Sequence, residues 1–142
     1  MNPTIPDISK YLLACMRVSL PEDKNIVFGI GIIDKVLILM NEDDKLPDWI
    51  KYNIRLINGR YCKYCVEMYE ILRYAHVNNI IVYVKKCNGF YINMHWDSAR
   101  NIMTEIEPDL NKNLNFCSYF FPRIFIDNCK FMKRKMYCVV KK

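Results

Sequence analysis

Apolar and polar residues fall into blocks along the chain, and the spacing inside each block predicts an element. After two proline-containing dipeptides, Leu12, Leu13, Cys15, Met16 and Leu20 form an apolar stripe at helical spacing. Asp7 or Ser9 is placed to cap this helix, and Pro21 ends it. Residues 25–40 are rich in β-branched side chains and broken at Gly29, Gly31 and Asp34. They predict strands over 26–30 and 35–40, arranged as a hairpin. The run Val36-Leu37-Ile38-Leu39-Met40 is continuously apolar, as in a strand buried on both faces. Asn41-Glu42-Asp43-Asp44 then signals a turn, and Pro47 suits the first turn of a helix carrying Trp49, Ile50 and Tyr52.

The middle of the chain predicts a strand over 54–57, a loop with Gly59, and a helix after Cys65. In that helix Val66, Tyr69, Leu72 and Ala75 face inward, with Glu67, Glu70 and Arg73 opposite. Asn78-Asn79 closes it, and 80–84 is another β-branched run. Strand, helix and strand in that order imply a parallel pair with a right-handed crossover. Cys87-Asn88-Gly89 is a turn, followed by a short strand or inserted loop over 90–94. A helix capped by Asp97 or Ser98 turns Ile102, Met103 and Ile106 inward and stops at Pro108. Residues 111–115 read as polar loop, and 123–126 and 130–140 as an antiparallel hairpin turning at Asp127-Asn128.

Composition changes this picture little. A chain of 142 residues fits a single domain, 1–142, and is long enough to bury a core without disulfide staples. It has no stretch long and apolar enough to span a bilayer and no N-terminal basic segment followed by an apolar one, so a soluble, cytoplasmic protein is expected. The net charge of +6 collects in part at the C-terminus, in Lys130, Lys133, Arg134, Lys135, Lys141 and Lys142. That run is read as a solvated face rather than a nucleic-acid contact. Seven cysteines without a secretory signal point to reduced thiols. Cys15, Cys87, Cys117, Cys129 and Cys138 stand among apolar neighbours and read as small core residues.

Cys62 and Cys65 are different. Their Cys-x-x-Cys spacing can close a small disulfide, and a helix beginning beside them favours the thiolate of the first through its unpaired N–H groups. Zinc is the competing chemistry for such a pair, but it needs two further ligands, and the best second pair, Cys87 with His95, is loosely spaced.

Two motifs carry a resemblance. Arg60-Tyr61-Cys62-Lys63-Tyr64-Cys65 is similar to the glutaredoxin pattern in which a Tyr precedes the second Cys, and Phe121-Pro122-Arg123-Ile124-Phe125-Ile126-Asp127-Asn128 looks like the cis-proline strand and following turn of the same superfamily. With the element order around them, residues 36–140 resemble a thioredoxin-like α/β domain. That implies a central mixed sheet of four to five strands flanked by helices, with residues 1–35 as an N-terminal helix and strand extension. Divergent glutaredoxin-like proteins of this kind occur in large DNA viruses, whose AT-rich genomes suit the Asn, Ile, Lys and Tyr content.

The resemblance implies a thiol–disulfide oxidoreductase acting on protein disulfides. Cys62 would attack, Cys65 would resolve the mixed disulfide, and Arg60 and Tyr64 would line the substrate site. Phe121-Pro122 would face the thiols, with the Phe121 backbone pairing with an extended substrate segment. Three departures qualify it. Lys63 stands where glutaredoxins have Pro. The Gly-Gly pair that helps bind glutathione is replaced by Cys129-Lys130-Phe131-Met132, so no cofactor is expected and glutathione enters only as a possible electron donor. Little chain remains for a final helix, leaving a sheet face to be covered by the helix of residues 11–20 or by another subunit in a homo-oligomer. The alternative is a non-enzymatic interaction module of the same fold.

Overall fold

Helix α1 (Ile5–Val18) is enclosed on every side: Ile8, Ser9 and every residue from Tyr11 to Arg17 are buried. The segment Tyr11-Leu12-Leu13-Ala14-Cys15-Met16 has no polar face, and a helix apolar all round is stable only in the interior. In the computed structural model of the chain, α1 is the axis on which α4 (Met68–Val77), α5 (Trp96–Ile106) and α6 (Leu110–Lys133) pack. The segment expected to be an extension therefore lies at the centre of the core. The structure describes residues 4–60, 62–133 and 139–140, with the backbone alone for 123–133 and 139–140.

The N-terminus of α1 is capped by Thr4, whose N–H and hydroxyl both donate to Asp7 Oδ2 at 2.9 and 3.0 Å. Ser9 donates instead to the Ile71 carbonyl of α4 at 2.7 Å. Arg17 is 2% exposed, and its guanidinium donates to the carbonyls of Met94, Pro21 and Glu22 at 3.0, 3.2 and 2.9 Å. A buried cation is tolerable when its donors are satisfied in this way, and here it ties the end of α1 to the loop before α5.

The fold is mixed α/β, dominated by helices, with small antiparallel sheets. After α1 come β1 (Asn25–Ile26), β2 (Phe28–Gly29), α2 (Ile32–Glu42) and the single turn α3 (Asp48–Lys51), which begins after Pro47 as expected. Strands β3 (Leu56–Asn58) and β4 (Lys63–Cys65) precede α4, and β5 (Ile81–Val84) and β6 (Gly89–Ile92) follow it. β7 (Val139–Val140) pairs antiparallel with β1. β2, β6 and β5 form a three-stranded sheet, and β3 pairs with β4 alone.

Several expectations are corrected here. Residues 36–40 belong to α2, not to a strand: Ile32, Ile33, Val36, Leu37 and Met40 are its buried residues, a spacing of 3.6 rather than 2. A continuous apolar run fits either buried element, and the length of the periodic pattern decides for helix. The expected parallel crossover is absent among the described residues, because β3 and β5 each pair antiparallel with the next strand in sequence. Without it, the central mixed sheet of four to five strands expected of a thioredoxin-like domain does not assemble; the largest sheet among the described residues has three strands. In α4 the buried residues are Met68, Ile71, Leu72 and Ala75, so Tyr69 points outward and is 75% exposed.

The C-terminal half changes most. The polar loop expected over 111–115 and the strand over 123–126 both lie in α6. Asn113, Phe116 and Phe120 are buried at spacings of three and four, which is the helix signal that the polar intervening residues obscure. The returning strand is helix to Lys133; of the rest, only Val139–Val140 lies among the described residues, as β7. One connected core runs from Ile8 to Phe120.

Candidate functional site

The hairpin β3–β4 carries the Cys-x-x-Cys pair. Leu56 pairs with Cys65, Ile57 with Tyr64 and Asn58 with Lys63, and the ladder extends through Val66 N–H to the Arg55 carbonyl at 2.9 Å. Gly59 N–H donates to the Cys62 carbonyl at 2.8 Å, closing the tip of the hairpin. A Cβ on Gly59 would come within 2.7 Å of the Cys62 carbonyl oxygen and 2.8 Å of the Tyr64 ring, so only glycine lets this tip close beneath Tyr64.

Three polar contacts fix the hairpin on its neighbours. The Cys65 N–H donates to Asp34 Oδ1 of α2 at 2.8 Å. The Arg55 N–H and Nε donate to the two carboxylate oxygens of Glu67 at 2.6 and 2.9 Å. Lys63 Nζ reaches Glu42 Oε1 at 3.0 Å across an open surface. Burial raises the carboxyl pKa of Asp34, against the Cys65 N–H bond, which lowers it. Glu67 is held below the usual carboxylate range; burial works to raise it, and the Arg55 backbone and guanidinium outweigh that.

Cys62 is exposed at the tip and Cys65 is 2% exposed at the base. Burial is the main force raising the Cys65 thiol to about 11. The N–H groups of Glu67 and Met68, at the start of α4, pull the other way, and the Glu67 and Asp34 carboxylates add to the rise. So the thiol nearest the α4 terminus is the second cysteine, not the first as the sequence implied.

The two cysteines are also not poised to bond. Lys63 and Tyr64 between them are extended, so the Cα atoms of Cys62 and Cys65 stand roughly 10 Å apart at about 3.3 Å per residue. A disulfide needs them within about 7 Å.

The other expected site residues divide. Arg60 and Tyr64 lie on the hairpin, exposed, with Tyr64 at 41%. Phe121 and Pro122 are exposed on α6 and do not precede a strand. A helical backbone has its N–H and C=O groups directed along its own axis, so an extended substrate finds no strand to pair with at Phe121. Among the described residues no peptide bond is cis, Phe121-Pro122 included. The Cys87 and His95 considered for zinc join no group of three or more metal-binding side chains among the described residues.

A second pair of thiols has no sequence signal. Cys15 of α1 is fully buried and Cys117 of α6 half-buried, and the Cys117 thiol donates to the Cys15 carbonyl at 3.8 Å. The neighbouring Cys15 is the main influence lowering Cys117 to about 7, against burial and helped by Ser19. Cys15 is pushed well up, chiefly by burial. One turn earlier in α1, the Tyr11 hydroxyl donates to Asn113 Oδ1 at 2.6 Å, and its ring meets Phe116 edge-on at 5.1 Å. These contacts clamp α1 to α6 beside the thiols, and burial raises the phenol's pKa. The partners are 102 residues apart, so only the packing of the two helices could reveal them.

Two open hollows of about 420 Å³ lie elsewhere. One is between α2 and the hairpin, lined by Ile38, Asn41, Glu42, Ile57 and Lys63. The other is between α4 and the three-stranded sheet, lined by Ile30, Tyr69, Arg73, His76 and Tyr83. No helix among the described residues is long and apolar enough to cross a membrane. No family model matches the chain, and no curated protein and no solved structure matches it either, so its own thiols and surfaces are the basis for reading what it does.

Proposed function

We propose that the chain carries out thiol–disulfide exchange in a reducing compartment such as the cytoplasm, with Cys62 as the attacking thiol. The observation that carries this is the division of labour within one hairpin: Cys62 is open to a protein disulfide, while Cys65 is enclosed and protonated at neutral pH. The Cys62 thiolate would attack one sulfur of the partner's disulfide, forming a mixed disulfide and releasing the other sulfur as a thiolate. Resolution by Cys65 would form the Cys62–Cys65 bond and free the partner's second thiol. That step requires the extended Lys63-Tyr64 arm to fold over, since extended backbone spans more than a disulfide bridges. The proposal rests on the thiols and their exposure, not on a thioredoxin-like sheet.

The test is trapping of mixed disulfides with a reporter protein disulfide. Cys62→Ser should abolish them, and Cys65→Ser should make them persist. If both variants behave like the parent, the reading fails. A second reading, an interaction module that binds a second copy of itself, is favoured by the hollow beside α4, where Ile30, Tyr69 and Tyr83 are 42, 75 and 40% exposed. Sedimentation at increasing concentration tests it: a dimer lost in Tyr69→Ser supports it, and a monomer throughout removes it.

A further inference from the structure

We propose that Cys117 is a peroxide-reactive thiol and Cys15 its resolving partner, so that oxidation ties the central helix to the C-terminal one. The site lies apart from the hairpin and goes beyond the exchange reaction proposed there. Three observations carry it. The Cys117 thiol donates to the Cys15 carbonyl across 3.8 Å, so the two cysteines are in contact where α1 meets α6 and their meeting needs no unfolding of either helix. Only Cys117 is partly open to solvent, which assigns it the role of meeting a small oxidant. The seam is held from both sides, by Tyr11 on Asn113 and by Ser19, which donates to the same Cys15 carbonyl at 2.7 Å.

The chemistry balances with one equivalent of a peroxide. The Cys117 thiolate attacks a peroxide oxygen; a sulfur–oxygen bond forms, the oxygen–oxygen bond breaks, and water or an alcohol leaves after taking a proton. The resulting sulfenic acid is attacked by Cys15; the disulfide forms, the sulfur–oxygen bond breaks, and a second water leaves. The two thiols are oxidised by two electrons and the peroxide is reduced. Burial of Cys15 is no obstacle, because its only reaction partner is the sulfur beside it. The lowered pKa of Cys117 supports its role, since the thiolate is the reactive form.

The test treats the reduced full-length chain with hydrogen peroxide and maps the products by mass spectrometry. The expected result is loss of the mass of two hydrogens and a linked peptide pair containing Cys15 and Cys117. The link should persist in a Cys62→Ser/Cys65→Ser double variant, which separates this proposal from the hairpin chemistry. It should vanish in Cys117→Ser, and Cys15→Ala should leave a sulfenic acid on Cys117 that dimedone captures. Mapping the parent protein needs no variant to fold. A link joining other cysteines, or parent protein in which Cys15 and Cys117 stay reduced while peroxide is consumed elsewhere, overturns the proposal. So does loss of the link in the hairpin double variant.

Discussion

The β3–β4 hairpin and the α1–α6 seam each hold two cysteines, and they hold them in opposite ways. In the hairpin the thiols are three residues apart in sequence, yet extended backbone keeps their Cα atoms roughly 10 Å apart. At the seam the cysteines are 102 residues apart, and the Cys117 thiol donates to the Cys15 carbonyl. The outer thiol is the more open one at both sites, Cys62 exposed at the tip and Cys117 half-buried at the seam, but only at the seam does it contact the inner residue. Spacing along the chain therefore says little about reach until the intervening backbone conformation is known. A helical turn would have brought Cys62 and Cys65 together; a strand separates them.

The largest expected effect separates the two pairs by stability. Closing a loop of about 100 residues restricts the unfolded chain by about 4–5 kcal/mol, so the oxidised seam should raise the urea midpoint strongly over the reduced protein. A Cys62–Cys65 bond closes a very short loop and should add far less. Paired urea titrations of the oxidised and reduced forms read this directly, and an unchanged midpoint would mean that the cross-link strains the native packing.

Alkylation as a function of pH comes next. Thiolate is the reactive form, so reactivity rises with pH through each group's pKa. With Cys117 near 7 and Cys65 near 11, their thiolate fractions at pH 8 differ roughly a thousandfold, and Cys117 should be labelled while Cys65 is spared. Stability carries the matching sign for Cys65. Its folded pKa is raised above 9.0, so its contribution is complete below about pH 9 and is lost as pH rises through about 11. Mass spectrometry after iodoacetamide pulses checks the labelling, and equal rates at the two thiols would break the contrast.

Asp34→Ala should sharpen the comparison from the hairpin side. It removes the carboxylate that accepts the Cys65 N–H and should cost about 1–3 kcal/mol. By loosening β4 from α2 it should also speed Cys62–Cys65 disulfide formation, leaving the rate at the seam unchanged. Asp34→Asn, which keeps an acceptor oxygen, should recover most of the stability. The smallest effect is expected at Lys63→Ala, where the ion pair to Glu42 is half exposed on both sides and is worth under about 1 kcal/mol. Thermal melts of the three variants rank these contributions, and a Lys63 effect larger than that of Asp34 would mean that the ion pair anchors the arm.

Legibility in the sequence followed the strength of local signals. The helix start at Pro47, the turn at Asn88, the helix stop at Pro108 and the helix after Cys65 were readable because proline, αL-prone asparagine and an apolar stripe act within a few residues. Residues 36–40 were not, because a continuous apolar run suits either a strand or a helix buried on its inner face. Pro122 misled in the same way: before a β-branched segment it reads as a strand start, whereas Phe116 and Phe120 anchor that segment's helix on α1.

By itself the sequence determined which segments could be buried, where turns must fall, and that one Cys-x-x-Cys pair exists. Only the tertiary structure decided that this pair is held apart, that α1 is the axis of the core, and that Cys15 and Cys117 meet. The physical reason is that local preferences act over a few residues, whereas helix against helix is settled by burying apolar surface between segments that can lie anywhere along the chain.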